Sequence, residues 1–511
     1  MFLWYGNCLL FAKDVHMKSW NILEIFCLLY LGTLRIASQE SGMFLTLNLQ
    51  QSIKLAQSQS PDAQAALHTY RSAYWNYRAF RANYLPGVEL SASPYLNRQI
   101  NKVTQPDGTE LFISQNQLST DLHLTVSQNV WFTGGTFFLE TSGQYIGEFS
   151  KDDKAFSSQP ISIGYRQSLF GYNSLKWDRK IEPVRFREAR KAYAETMELI
   201  AAQTCELFFS LATAQTNLNI AQANMASADT LYRYALGRYR LGKVSENELL
   251  QLEVNKLNEE TNVMQANIAV EDARLAFCSF VGLEATDHVN IVPSDSIEAF
   301  EIPLEQALEL AYAHSPDVEM FRRLQLESRR QLAAARADCG LKADLYLRFG
   351  LSQTGTQLKD AYKRLLDQEY VSVAISIPIL DWGRGKGKVR VAQSNIELVE
   401  THTRQGLNDF ELNICKMVRQ FNLQARQVAV AAKTDVTAFQ RYEITRRLYL
   451  SGRSTVLELN ASITEKDSAR RNHIEALKTY WTLYYVLRSV TQYDFRNGCA
   501  LYETVSPVHD T

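Results

Sequence analysis

Two short stretches share the same spacing of Tyr, Gly, Ser or Thr, and Glu, and they constrain the fold of this chain more than any other feature. One begins at Tyr239 and reads YRLGKVSENELLQ, and the other begins at Tyr449 and reads YLSGRSTVLELNA. Gly242 and Gly452 can take the left-handed backbone that ends a helix. A Ser or Thr followed three positions later by Glu is the capping box that begins another helix. The two capping pairs are Ser245 with Glu248 and Thr455 with Glu458. Each stretch therefore predicts a tight antiparallel helical hairpin.

The two hairpins belong to a larger internal repeat. LTLNLQQSIKLAQSQSPDAQ from Leu45 matches EIPLEQALELAYAHSPDVEM from Glu301, and ISIGYRQSLFGYNSLKW from Ile161 matches VSVAISIPILDWGRGKG from Val371. The chain is therefore a tandem duplication, and the first copy carries extra residues between these blocks. We divide it into a first repeat (39–282), an equatorial linker (283–300), a second repeat (301–493) and a C-terminal tail (494–511).

The spacing of the 11 prolines predicts the helices. None falls between Pro183 and Pro293 or between Pro378 and Pro507, and proline inside a helix costs about 3 kcal/mol. Each proline-free stretch predicts a helix of about 68 residues, roughly 100 Å long, and a return helix of about 37 residues. The helices that begin at Pro61 and Pro316 have about 23 residues, so each can fill the remaining length end to end with a return helix.

The segments before the long helices alternate between apolar and polar residues. In LKADLYLRFGLS, every second residue from Leu341 to Leu351 is apolar, and Val88, Leu90 and Ala92 alternate with polar residues. A half-buried sheet and a membrane barrel with lipid outside and water inside both give this period of two. About four strands per chain cannot close a barrel, because the smallest barrels have eight. Bare strand edges cannot face lipid, so membrane strands would have to be shared between chains.

The N-terminus has the features of an export signal. Lys18 precedes the apolar run ILEIFCLLYLG, and small residues follow at Ala37 and Ser38. We predict a signal peptide over 1–38, with the true start possible at Met17. The apolar run is shorter than the roughly 20 residues of a membrane-spanning helix.

Composition and motifs argue against enzymes and nucleic-acid binders. The net charge is −1, and the seven cysteines and eight histidines are scattered singly. No Cys-x-x-Cys or Cys/His cluster predicts a metal site or a disulfide framework. GRGKGKVR at Gly383 lacks the frame of a phosphate-binding loop. We therefore expect no catalytic residues, no cofactor, no metal and no nucleic acid.

The order of these motifs resembles the TolC-like outer-membrane efflux protein family. The resemblance rests on the repeated LTLNLQQSIKLAQSQSP opening, IPILDWGRGKGK, RYRLGKVSENELL and YLSGRSTVLEL, and it runs from about Leu45 to about Tyr493. It implies a mostly α-helical protomer of a homotrimer. Each protomer would give four strands to a shared 12-stranded barrel and four helical columns to a periplasmic tunnel. A collar would come from about 45–60, 283–315 and the tail.

The resemblance also implies a location and partners. The chain would lie in the outer membrane of a Gram-negative bacterium, contact its lipid and extend into the periplasm. It would be the exit duct of a tripartite efflux or type I-like secretion system, with a periplasmic adaptor and an inner-membrane pump. The alternative is a non-channel helical scaffold or surface protein whose sheets pack on its own helices.

In the family, the two hairpins form a periplasmic tip that closes at rest. The positions that match its constriction are Glu248 and Glu458, with Tyr239, Tyr449 and Arg453 beside them. Gln251, Ala461 and Ser454 depart from the acidic and basic residues often found there. Helix capping alone also explains Glu458. A ring of three glutamates at a narrow mouth would select or bind cations.

The extra residues of the first repeat predict an added hairpin over 119–150. STDLHLTVSQNVWF and TFFLETSGQYIGEF alternate as strands and meet at Thr133-Gly134-Gly135. This hairpin could extend the barrel rim, fold over it or enlarge the barrel; of these we expect an added surface hairpin.

Overall fold

The computed structural model describes residues 44–149, 153–293, 297–298 and 300–501, so the expected signal peptide lies outside the described residues. The helices are α1 (Leu49–Gln59), α2 (Pro61–Ala82), α3 (Ser174–Arg240), α4 (Glu246–Val281), α5 (Leu304–His314), α6 (Pro316–Cys339), α7 (Arg384–Leu450) and α8 (Val456–Thr491). The strands are β1 (Phe44–Leu47), β2 (Gly87–Thr104), β3 (Glu110–Val130), β4 (Gly135–Glu148), β5 (Asp153–Ser168), β6 (His288–Ile291), β7 (Lys342–Gly355), β8 (Leu366–Ser376), β9 (Tyr493–Asp494) and β10 (Cys499–Ala500).

The helices form one layer of four columns. The long helices α3 and α7 have 67 residues each, and the return helices α4 and α8 have 36 each. These lengths confirm the expected long and return helices, although Pro183 lies inside α3 rather than before it. Helices α2 and α4 pack on α3, while α6 and α8 lie between α3 and α7. The order across the layer is therefore α4 with α2, then α3, then α8 with α6, then α7.

The short helices meet end to end, as their lengths predict. Gly282 ends α4 with φ +85°, and a Cβ there would lie 2.9 Å from the carbonyl oxygen of Gln59. Ser60 caps α2 at the same point, because its hydroxyl accepts the Ala63 amide at 3.1 Å. In the second repeat, His314 Nδ1 lies 3.1 Å from the Thr491 carbonyl oxygen, so α6 begins where α8 ends.

The larger of the two apolar cores of the described residues lies at these junctions, in the segments expected to form the collar. Strand β1 pairs in parallel with β6, so the expected collar segments of both repeats meet here. Phe208, Phe209, Phe277 and Phe421 are fully buried in this core. The described end of the tail, β9 with β10, folds back antiparallel beside α8.

A single antiparallel sheet of six strands, in the order β2-β3-β4-β5-β7-β8, extends beyond the helices. The sheet has six strands, where we expected four with an added surface hairpin, and the 119–150 hairpin pairs inside it. Strand β3 pairs with β2 from Gly87↔Ser127 to Thr104↔Glu110, and β4 joins β5. The physical reason is length: β3 and β4, with 21 and 14 residues, can satisfy the backbone groups of their neighbours along most of each strand.

The apolar face of this sheet is not covered by the helices of its own chain. Val88, Leu90 and Val373 are each more than half exposed, which contradicts the alternative of sheets packed on their own helices. Among the described residues, no helix is long and apolar enough to cross a membrane.

Candidate functional site at the helical tip

Both helix–helix turns have the same backbone geometry. The amides of Gly242 and Lys243 donate to the carbonyls of Tyr239 and Arg238, each at 2.9 Å. The second turn repeats this pattern with Gly452 and Arg453, again at 2.9 Å. This is the Schellman ending of a helix. The glycines have φ of +64° and +76°, and a Cβ at either would contact nothing within 4 Å, so the left-handed backbone alone requires them.

The helix starts that follow the turns differ in their caps. Thr455 and Glu458 form a complete capping box: Thr455 Oγ1 accepts the Glu458 amide, and Glu458 Oε2 accepts the Thr455 amide, both at 3.2 Å. The Ser454 hydroxyl also donates to Glu458 Oε2 at 2.5 Å. At the first turn, Ser245 accepts the Glu248 amide at 3.2 Å, but α4 has only this half of the box. The prediction of two complete boxes is therefore wrong for the first turn, because the Glu248 side chain does not return to the Ser245 amide.

An apolar cluster joins the two hairpins into one unit, which we call the tip cluster. Its buried members come from all four columns: Ala235, Leu249, Leu252, Tyr442, Tyr449, Val456 and Leu459. Tyr234 Oη also lies 3.5 Å from the Leu450 carbonyl, across the two hairpins. A displacement of one hairpin would therefore disturb the packing of the other.

The charges at the tip are mixed. Burial raises the pKa of Tyr449, the Glu248 carboxylate raises it further, and Arg238 opposes both. The hydrogen bonds from Ser454 and Thr455 hold the pKa of Glu458 below its usual range, so this carboxyl is ionised at neutral pH. Basic residues occupy the last turns of α3 and α7: Arg238, Arg240 and Arg447. These cations suit the negative ends of the helix dipoles.

The predicted site residues fall into two groups. Tyr239, Arg453 and Glu458 are exposed, and Glu248 is half-buried. Tyr449 is 6% exposed, so it packs inside the tip cluster and does not present its ring to solvent in the single chain. Sequence reasoning missed Ser454 as a partner of Glu458 and Tyr442 as part of the cluster. The seven-residue spacing of Tyr442 and Tyr449 is the signal that could have found the latter.

The tip therefore offers carboxylates and guanidinium groups on a rigid turn. Within the part of the chain that the structure describes, no three His, Cys, Asp or Glu side chains come close enough to hold a metal ion. The arrangement suits electrostatic selection of solutes, or a contact with another protein.

Comparison with known proteins gives a consistent picture. A family model described as outer membrane efflux protein matches residues 52–282 and 307–489, which is more than half of the chain. A search of curated proteins finds no match.

Several solved structures of outer-membrane proteins align with this chain at low sequence identity. The Campylobacter jejuni CmeC outer membrane channel aligns with a TM-score of 0.64 at 16% identity, covering 87% of this chain and 85% of CmeC. The outer membrane protein VceC of Vibrio cholerae gives a TM-score of 0.60 at 14% identity, with coverage of 87% and 95%. The open state of the Neisseria gonorrhoeae MtrE outer membrane channel gives 0.55 at 15% identity, with coverage of 87% and 88%.

Proposed function

Because the chain belongs to the outer membrane efflux protein family and is therefore an outer-membrane efflux channel, we propose that three copies form one continuous exit duct. Its helical end extends into the periplasm and receives substrates from a periplasmic adaptor and an inner-membrane pump. Four columns per copy close a tunnel of twelve columns, and the sheets of the three copies cross the outer membrane together.

The observation that carries this proposal is an uncovered apolar stripe on α4, the outermost column on one side of the layer. Its members are Leu250, Val254, Leu257, Met264 and Ile268, and all are more than half exposed. They follow the three-and-four spacing of a coiled-coil seam. Exposed apolar side chains at such spacing indicate an interaction surface.

The opposite edge of the layer carries a matching stripe. On α7, Val391 and Leu398 lie seven residues apart, and so do Leu423 and Val430; each is more than half exposed. Since α4 and α7 are the outermost columns, the α4 edge of one copy can pack against the α7 edge of the next. The head-to-tail contact then closes into a ring. At about 1.5 Å per residue, Leu423 and Val430 lie at the level of α4, and this part of the α7 stripe would pack against the α4 stripe of the next copy. Val391 and Leu398 lie higher, at the level of α2.

The tip would be the narrow periplasmic mouth of this duct. We infer that Glu248 and Glu458 place carboxylates at the mouth, with Tyr239 and Arg453 beside them on the exposed surface. Tyr449 would act indirectly, by fixing the two hairpins to each other through the tip cluster. The support is geometric: the tip cluster packs the two hairpins against each other just above both turns.

A charge placed on the α4 stripe tests the assembly. Ile268→Glu should abolish the heat-modifiable trimer in detergent extracts of outer membranes, because it puts a carboxylate into an apolar seam. Ala269→Glu is the matched control, since this neighbouring residue is also exposed and lies about 100° further around the helix. The measurement is chemical cross-linking followed by gel electrophoresis of heated and unheated samples.

An Ile268→Glu protein that cross-links as well as the Ala269→Glu protein would refute the seam. A parent protein that gives only monomers would refute the trimer itself.

A further inference from the structure

The inserted hairpin β3–β4 is a structural part of the sheet wall. Strand β3 pairs with β2 on one side and with β4 on the other, and β4 pairs with β5 from Thr136↔Arg166 to Glu148↔Asp153. Removing the hairpin would therefore separate β2 from β5. A hairpin that folded over the rim or into the lumen could not make both sets of backbone pairs.

The inserted strands also continue the apolar face in register. One row of paired residues runs across five strands through Val88, Val126, Leu139, Ile163 and Phe349. Val126 and Leu139 belong to the insertion. Leu122, Leu124 and Phe137 of the same hairpin are exposed on this face. The row is apolar over these five strands and ends at Glu369 on β8, which pairs with Phe349. An exposed apolar face of this kind is typical of a lipid-facing wall.

The other face of the insertion is polar and bonded to the second repeat. His123 Nδ1 lies 2.9 Å from Glu140 Oε1, and Glu140 Oε2 lies 3.2 Å from an Arg348 Nη2 atom. Arg348 also donates from Nε to the Ser162 hydroxyl at 2.7 Å. Two inserted strands and two strands from the ordinary repeats thus share one charged network on the face that would line the lumen.

The turn between β3 and β4 lies at the end of the sheet that is next to the helices, beside the ends of the other strands. Asn173 caps α3 by accepting the Lys176 amide, and its Nδ2 donates to the Trp131 carbonyl, both at 3.0 Å. Trp131 and Phe132 of the turn are exposed, as are Phe170 and Trp382 at the ends of the other strands. Aromatic residues at one level are typical of the interface between membrane and water. The hairpin therefore spans the same thickness as its neighbours.

The two outer strands have no partner strand in the described sheet, and their directions are opposite. Strand β2 leaves the helices and β8 returns to them, so six strands alternate in direction. The β8 edge of one copy can then pair antiparallel with the β2 edge of the next. Bare edges of this kind cannot face lipid, so a second copy of this chain is the occupant that the geometry favours.

We propose that three copies close a barrel of eighteen strands, six from each, rather than the twelve of four-stranded protomers. This inference rests on the proposed trimer. With strands about 4.8 Å apart and tilted about 40°, eighteen strands give a barrel about 36 Å across between backbones, and twelve give about 24 Å. The exit would then have the width of a porin wall above a tunnel of twelve helical columns. It would not be the narrowest point of the duct, and solute size would be selected in the helical part.

The distance between equivalent residues of the three copies measures the strand number directly. In an equilateral arrangement this distance is about 31 Å for eighteen strands and about 21 Å for twelve, at the level of the backbone. We would place a nitroxide spin label at Phe349→Cys, on the apolar face of β7, in a chain whose Cys339, Cys415 and Cys499 are replaced by Ser. Pulsed electron–electron double resonance on the full-length protein in lipid nanodiscs then reports the distance between the labels of different copies. A second label at Ala269→Cys on α4 reports whether the helical parts have assembled.

The expected result is a distance near 31 Å at Phe349→Cys. A distance near 21 Å there, with an inter-copy distance at Ala269→Cys, would overturn the eighteen-stranded barrel and leave the trimer intact. No inter-copy distance at either label would mean that the proposed trimer fails.

A second variant checks whether the inserted hairpin is what widens the barrel. Replacing residues 105–152 with a short Gly-containing turn joins β2 directly to β5 and should shorten the Phe349→Cys distance by about 10 Å. An unchanged distance in a folded deletion variant would also overturn the proposal. If the deletion variant does not fold, the distance in the full-length chain still decides.

Discussion

Arg488 holds the collar together through a buried charge cluster. Its Nε lies 3.0 Å from Glu198 Oε2 on α3, and its Nη1 lies 3.2 Å from Asp494 Oδ2 in the tail. The Tyr484 hydroxyl donates to Asp494 at 2.5 Å. No side chain of the ion cluster is more than 15% exposed. Arg488→Met keeps most of the side-chain volume and leaves two buried carboxylates without their cation.

The expected cost is large because the partners stay buried. Removing one member of a buried ion pair costs about 3–5 kcal/mol. We expect the cluster to form late in folding, so the cost appears as faster unfolding, by at least about a hundredfold. The triple variant Arg488→Met, Glu198→Gln, Asp494→Asn removes the unpaired charges and should unfold more slowly than Arg488→Met alone.

The assay is the unfolding rate of the detergent-purified protein after transfer to denaturant, followed by tryptophan fluorescence at one protein concentration. Arg496→Met is the control, because its ion pair with Glu298 lies at the surface, with side chains 36% and 79% exposed. Such pairs contribute about 0–1 kcal/mol. If Arg488→Met unfolds no faster than Arg496→Met, the reasoning is refuted.

Two further predictions concern carboxyl groups. Glu458→Gln removes a charge from the tip, but Gln can serve in a capping box; we expect a reduced preference for K⁺ over Cl⁻ in planar bilayers. Thr455→Ala is the counterpart that keeps the charge and loses the cap, at about 1 kcal/mol, and should keep the preference; an unchanged preference in Glu458→Gln would exclude the charge from selection. Burial raises the pKa of Glu195 from 4.5 to about 7, and the Asp317 carboxylate adds to the shift. Because the folded pKa is the higher one, stability falls as pH rises through this window. Glu195→Gln should therefore raise the thermal midpoint at pH 8 and leave it unchanged at pH 4.5. The corresponding gain in the free energy of unfolding at pH 8 is at most about 3 kcal/mol before allowance for partial exposure. Equal shifts of the midpoint at both pH values would contradict the assignment.

Local rules explain why much of the helical part could be predicted. The proline-free stretches indicated the two long helices, although α3 begins before Pro183 and contains it. Glycine with positive φ set both turns, since this effect acts within a few residues. The repeat of Ser60-Pro61 at Ser315-Pro316 predicted where the short helices begin. The tip was only partly predictable, because a capping box needs the Glu side chain to turn back. It does so at Glu458 and does not at Glu248, although the local patterns are alike.

The pairing partners of the inserted strands could not be predicted from the sequence. The alternation in β3 and β4 predicted a hairpin with one apolar face, because side-chain direction along a strand has a period of two. It could not tell which strands lie beside the hairpin, since the same alternation fits a surface addition and a place between β2 and β5.

The sequence by itself thus determined the duplication, the helices, the turns and the alternating faces, all of which depend on neighbours along the chain. The tertiary structure decided the six-stranded order, the burial of Tyr449 in the tip cluster and the meeting of Arg488 with Glu198 and Asp494. These depend on backbone pairing and packing between segments far apart in sequence, where the free energy comes from which partners become buried together.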